Sequence, residues 1–217
     1  MVIINSTERS VEYNGAGAMS KRSAERKDQL MEVATRLFRE KGYHNTSMQD
    51  LADALGVQKS SLYYHVDSKE ELLLRILELS SQLQQARIDE IYAANLSPIE
   101  KLRCVLTDHT LLVTEYQDLF SVYINEFQSL PSEQTGELKM ARDHYQRIIT
   151  KIVEDGINAG CFRSTNAKVA CLGLLGMLTW IHRWYSPEGE LSPQEIAAIM
   201  VDLALYGLAG YSEVGAA

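Results

Sequence analysis

The chain is poor in the residues that staple or interrupt a fold. Only three of its 217 residues are cysteine, Cys104, Cys161 and Cys171. An odd number without CxxC spacing argues against a disulfide framework or a structural zinc site and fits a reducing cytoplasm. Proline occurs four times, at Pro98, Pro131, Pro187 and Pro193, each at a predicted helix boundary. The longest apolar stretch, Val169 to Ile181, is interrupted by two glycines and a threonine. Its length suits a buried core helix rather than a membrane span. The start of the chain lacks the basic residues and apolar run of a signal peptide. There is no HExxH, no GxSxG, no phosphate-binding glycine loop and no carboxylate pair at catalytic spacing, and the five histidines are scattered. The chain is therefore expected to be no enzyme, to hold no metal and to carry no cofactor.

What is present suits a globular chain, with 46% hydrophobic and 23% charged residues, enough to bury a core. The net charge of −8 is unevenly placed. Residues 1–75 hold 11 Lys+Arg against 11 Asp+Glu, whereas residues 76–217 hold 10 against 18. Only the N-terminal third can approach a polyanion without general repulsion.

Residues 1–22 show no helical period and read as a flexible arm. Met19, followed by Ser20-Lys21-Arg22, would itself make a natural start, leaving the preceding residues as an over-extended reading frame or a remnant. From Ser23 the apolar residues Leu30, Val33, Ala34, Leu37 and Phe38 fall at helical spacing, and Gly42 ends that helix. Thr46 or Ser47 caps a second helix, with Asp50 three residues after Ser47 as in a capping box, and Gly56 ends it. A short third helix runs from about Gln58 to His65. Ser68 caps a fourth that continues to about Tyr92, with Glu70 and Glu71 favoured in its first turn by the helix dipole. Five more are expected: Pro98 to about Val113, Tyr116 to Phe127, Ser132 to Asn158, Asn166 to Tyr185, and one opened by Ser192-Pro193. The reading is all-α, with nine helices.

The informative stretch is Thr46 to Glu71, TSMQDLADALGVQKSSLYYHVDSKEE: a helix, a glycine turn and a short polar and aromatic helix. This arrangement lays a recognition helix in the DNA major groove. Ala52 is small where two helices cross, and Gly56 permits a turn that a Cβ would resist. With Val57 and Leu62 packed inward, Gln58, Lys59, Ser60, Ser61 and Tyr63 face outward, and their side chains suit base edges and phosphates.

The run from Gln29 to Leu73, with ATRLFREKGYHNTSMQDLADALGV and SLYYHVDSKEELL, resembles the TetR/AcrR family of bacterial transcriptional regulators. The resemblance implies a helix-turn-helix DNA-binding domain over residues 23–68 and an effector-binding, dimerising domain over 69–217. It places Thr46 and Ser47 against phosphate, Lys59, Ser60 and Ser61 on the exposed start of the recognition helix, and Tyr63, Tyr64 and His65 against backbone and thymine methyls. Lys69 matches a lysine that reaches phosphate. Val66 departs from the family's usual Phe at a core anchor. On their own, Tyr63 to His65 would read as a packed aromatic cluster and the lysines as solvated charges. Lys21, Arg22, Arg26 and Lys27 suit either a basic arm in the minor groove or a solvated helix start.

In the C-terminal two-thirds the stripe Tyr116 to Phe127 reads mainly as core. The candidates to line a ligand cavity are His109, Tyr123, Phe127, Met140, His144, Trp180 and Arg183. Helices apolar on more than one face over Gly156 to Tyr206 predict a two-fold homodimer interface that includes Gly173, Gly176, Trp184 and Leu203. The segment TWIHRWYSPEGELSPQEIA looks like the branch of the family whose fatty-acid and steroid-catabolism repressors respond to acyl-CoA thioesters. Arg142, Arg147 and Arg183 are the candidate cations for such a ligand's phosphates, each with an ion pair as the alternative role. The function implied is a cytoplasmic, ligand-responsive repressor. It would bind a palindromic double-stranded DNA operator as a dimer and be released by a small hydrophobic effector, with no membrane partner. A drug-sensing regulator of an efflux pump is the alternative. The fourth helix, joining the two domains, is the expected lever.

Overall fold

A computed structural model describes residues 18–208. Among them every regular element is a helix. In chain order these are α1 (Ala18–Lys41), α2 (Met48–Leu55), α3 (Lys59–Leu62), α4 (Lys69–Gln85), α5 (Ile88–Ala93), α6 (Pro98–Glu115), α7 (Gln117–Glu126) with a trailing 3-10 turn (Phe127–Ser129), α8 (Gly136–Asn158), α9 (Ala167–Thr179), α10 (Ile181–Trp184) and α11 (Pro193–Leu208). The nine predicted helices become eleven because two of them break. The fourth is interrupted after Gln85, and the eighth turns at Trp180. The first helix begins at Ala18, ahead of the expected Ser23, so residues 18–22 of the predicted arm are helical. Residues 1–17 and the side chains of Lys21 and Arg22 lie outside the described residues.

Local signals set most boundaries. Ser47 and Asp50 form the expected capping box of α2, and Ser97 and Glu100 form one on α6 with Pro98 at the first turn. Ser68 accepts from the Glu71 N–H, and Ser192 and Glu195 bond reciprocally at the start of α11. Each such cap is worth about 1 kcal/mol. Gly42 and Gly56 sit at φ 83° and 66°, a left-handed conformation that favours glycine.

Two hydrophobic cores result. One fills the C-terminal half. There α6 lies between α8, α9 and α11 and contributes Leu102, Val105, Leu106, Leu112 and Val113. The other lies under the N-terminal helices, with Leu30, Ala34, Phe38, Leu51, Leu62, Val66, Leu73 and Ile76. This second core is not confined to the segment before Ser68. Leu119, Val122 and Tyr123 of α7 complete it, together with Leu130 and Leu138, while Phe120 of the same helix belongs to the first core. Thus α7 is shared between both halves. No described helix is long and apolar enough to cross a membrane.

Candidate nucleic-acid interface and internal cavity

The turn between α2 and α3 is closed by Val57 N–H to Ala52 O at 3.0 Å and Gly56 N–H to Asp53 O at 3.1 Å. Leu62 and Val66 are buried beneath α3. Gln58, Lys59 and Ser60 are therefore turned to solvent, with Tyr63 exposed and Tyr64 87% exposed. Ser61 and His65 are half-buried, and the His65 Nδ1 has no partner. An exposed tyrosine beside unpaired hydrogen-bonding groups is poor packing but a good contact surface for a duplex.

Three predicted contacts are otherwise engaged. Thr46 is buried, and its hydroxyl donates to Gly42 O at 2.9 Å and Leu37 O at 3.3 Å. Its side chain pins the α1–α2 turn. The Lys69 ammonium donates to Tyr43 O and Thr46 O, each at 2.8 Å, and lies 4.2 Å from the centroid of the Tyr43 ring. It too is held by the turn, leaving a single N–H for any other partner. Ser47 is exposed, but its hydroxyl pairs with Asp50. Hydrogen bonds from Lys41 and Ser47 hold the Asp50 carboxyl well below the usual carboxylate range, which keeps the capping box charged.

Helix α7 ties this domain to the rest. Arg39 of α1 pairs with Asp118, and the Tyr43 N–H donates to Glu126 Oε1 at 3.1 Å. At its start, Gln117 Nε2 donates to His182 O at 3.0 Å and Tyr185 O at 2.8 Å, clamping the end of α10.

The other face of α7 borders a cavity of about 140 Å³ in the C-terminal half. Phe120, Tyr123 and Ile124 meet there with His109 and Val113 of α6, Gln84 of α4, Arg142, Tyr145 and Gln146 of α8, and Leu175 and Thr179. His109 Nδ1 is 3.2 Å from the Tyr145 hydroxyl, whereas His109 Nε2 and the Tyr123 hydroxyl are buried without a partner. Burial pushes the His109 pKa down to about 4 and raises those of Tyr145 and Tyr123. All three are therefore neutral near pH 7.

Of the seven predicted cavity residues, the structure brings only His109 and Tyr123 to this wall. Phe127 stands behind it, edge-on to Tyr123 at 5.6 Å and 4.8 Å from the Arg142 guanidinium. Met140 is 72% exposed, because it projects from α8 on the side away from Leu138. His144 faces Asp89 at 2.8 Å. Trp180 is 61% exposed and Arg183 lies over its ring at 5.8 Å, so both are on the outer surface. Sequence reasoning missed Gln84, Tyr145, Gln146 and Thr179. A broader open cleft of about 670 Å³ separates α1 from the α6–α7 junction. Its lining includes Glu32, Glu115 and Asp118 against Arg39, a poor setting for an anion.

The predicted interface residues are all open to solvent. Trp184 and Leu203 are exposed, and a Cβ at Gly173 or Gly176 would meet nothing. Val169, Leu172, Ile199 and Tyr206 are also exposed on α9 and α11.

Comparison with known proteins agrees with this arrangement. Residues 30–76 match the family described as bacterial regulatory proteins, tetR family, and residues 95–208 match the tetracyclin repressor-like C-terminal domain. The HTH-type transcriptional repressor KstR2 of Rhodococcus jostii (strain RHA1) is 28% identical over 186 residues, covering 85% of this chain and 91% of that protein. The TetR family transcriptional regulator PfmR of Thermus thermophilus is 34% identical, with a TM-score of 0.76 over 84% of this chain and 100% of that one. AibR, solved in complex with isovaleryl coenzyme A and operator DNA, is 28% identical, with a TM-score of 0.74 over 82% and 97% of the two chains.

Proposed function

This chain belongs to the tetR family of bacterial regulatory proteins, and on that premise we propose that it is a ligand-responsive repressor. It binds a palindromic operator as a homodimer and is released by an acyl-CoA thioester of lipid or steroid catabolism. The reading rests chiefly on one observation: α7 forms a wall of the C-terminal cavity and completes the core beneath the helix-turn-helix. A ligand that moves Phe120 or Tyr123 moves the floor of the DNA-binding domain, and binding at the two sites is then reciprocally coupled. In this reading Gln58, Lys59, Ser60, Ser61, Tyr63, Tyr64 and His65 meet DNA, with Ser47 beside them at the start of α2. The two recognition helices sit in successive major grooves about 34–36 Å apart. Gly173, Gly176, Trp184 and Leu203 meet their counterparts across a two-fold axis. The operator lies in the cytoplasm, where the repressor works.

The relatives favour a catabolic effector over an efflux drug. Arg142 supports a thioester carrier, since it borders the cavity and pairs with no carboxylate among the described residues. The test is fluorescence anisotropy of the labelled operator, titrated with acyl-CoAs, free CoA and cationic dyes. Release by acyl-CoA alone is expected. Release by dyes alone overturns the assignment.

A further inference from the structure

The cavity wall carries an unbalanced pair of hydrogen-bonding groups. His109 is 2% exposed and Tyr123 is 8% exposed, yet His109 Nε2 and the Tyr123 hydroxyl each lack a partner. The other imidazole nitrogen lies 3.2 Å from the Tyr145 hydroxyl. If His109 Nδ1 held the imidazole proton, the Tyr145 proton and the Nε2 lone pair would both be stranded. If Tyr145 donates to Nδ1, only the Nε2–H is left over, and the count of unsatisfied groups falls. On this count we assign the proton to Nε2. The Tyr123 O–H supplies a second donor on the same cavity; besides Arg142 the other polar groups of the lining are neutral amides and hydroxyls, with the Asp108 carboxylate acting on Tyr145 from beyond it. Two stranded donors call for an acceptor oxygen from outside the chain.

Size narrows the ligand. A dry cavity of about 150 Å³ accommodates benzene, and this one measures about 140 Å³. We propose that it takes a short acyl group of about five or six carbons, whose carbonyl oxygen accepts hydrogen bonds from His109 Nε2–H and the Tyr123 hydroxyl. This rests on the acyl-CoA reading for the carrier that Arg142 meets at the cavity edge. The pair itself recognises a carbonyl on a small branched or cyclic unit, whatever carries it. The pocket is half-open, and a long acyl chain or a fused ring would extend beyond its lining.

The experiment has two arms, both on the full-length protein and measured by calorimetry or ligand-observed NMR. In the first, acetyl-, isovaleryl- and palmitoyl-CoA are compared with free CoA and with isopentyl-CoA, the thioether that lacks the carbonyl. Isovaleryl-CoA is expected to bind about tenfold tighter than either other ester, in keeping with what a few methylenes are worth in an apolar pocket. Tyr123→Phe, which keeps the ring and deletes one hydroxyl, should weaken isovaleryl-CoA by about tenfold and leave isopentyl-CoA unchanged. His109→Leu should do the same. In the second arm S-ethyl thioisovalerate, without CoA, is titrated against the native protein and Tyr123→Phe. If CoA esters bind regardless of chain length or carbonyl, the short-acyl inference falls and the acyl-CoA reading stands. If no CoA ester binds but the small thioester does, and Tyr123→Phe abolishes it, the CoA reading falls and the carbonyl pair stands. Binding in neither arm overturns the inference.

Discussion

The molecule leaves two surfaces uncovered, and they differ in kind. Around α3 the exposed groups are an ammonium, hydroxyls, an amide and two phenols, from Lys59, Ser60, Gln58, Tyr63 and Tyr64. Across α9 to α11 they are Val169, Leu172, Trp180, Trp184, Ile199 and Leu203. The first surface has hydrogen bonds and charge to offer and almost no aliphatic area. The second has aliphatic area and two bare glycines. A polyelectrolyte would meet the first through counterion release, which weakens steeply with salt. A second protein chain would meet the second through apolar burial, which salt does not weaken. On the proposed assignments the contrast teaches that assembly and DNA binding respond to different solvent variables, so DNA contact can be broken while assembly persists.

The largest break is expected at the apolar face. Leu203→Glu would put a carboxylate into the proposed dimer contact and raise the dimer dissociation constant at least about a hundredfold, or about 2.7 kcal/mol. Sedimentation should find monomer, and operator affinity should collapse with it while the isolated chain stays folded. An unchanged dimer would remove this face from the assembly. The next effect concerns the cavity side. His109 is held neutral by burial with a pKa of about 4, against about 6.5 in the unfolded chain. The unfolded state binds more protons between these values, so stability is full above pH 6.5 and is lost as pH falls toward 4. About 2 kcal/mol should disappear between pH 7 and pH 5, read as a lower urea midpoint, and His109→Leu should flatten that slope. Gly156→Ala comes third. A Cβ there would overlap the Phe162 ring, costing about 1–3 kcal/mol and several degrees of melting temperature. On the polar face, Lys59→Ala should leave the melting temperature alone, weaken all DNA sequences alike and reduce the salt slope of operator binding by about 1. Smallest of all, Tyr64→Ala should change stability by less than about 0.5 kcal/mol, while operator affinity falls. A loss of stability there would mean that the ring packs rather than reads.

Legibility followed locality. Capping serines, the turn glycines and the inward Leu62 and Val66 are signals spanning a few residues, so the helix-turn-helix could be drawn from the chain alone. The side-chain partners of Thr46 and Lys69 were not legible: Thr46 turns back onto carbonyls of its own turn, and Lys69 reaches across the fold. Lys69 lies 26 residues from Tyr43 in the chain and still chooses that carbonyl over solvent. The split of the fourth helix after Gln85 has no proline or glycine to announce it. The cavity was half-visible: the polar members of an apolar stripe, His109 and Tyr123, stood out, whereas Gln84, Tyr145 and Gln146 come from two other helices that converge only in space. The orientation of Trp180 was not legible for a related reason. A helix apolar all round gives no phase by which to tell its inner face from its outer one, and only the packing of Leu174, Leu178 and Ile181 sets it.

The chain has two tryptophans, and both Trp180 and Trp184 are exposed, while the aromatic members of the cavity wall are phenylalanine, tyrosine and histidine. The protein thus carries its own optical gauge. Excited at the red edge of indole absorption, its emission should shift to shorter wavelength if protomers close over these residues as proposed, and change less when a ligand enters. Assembly can then be followed by light at concentrations where effector binding must be followed by heat.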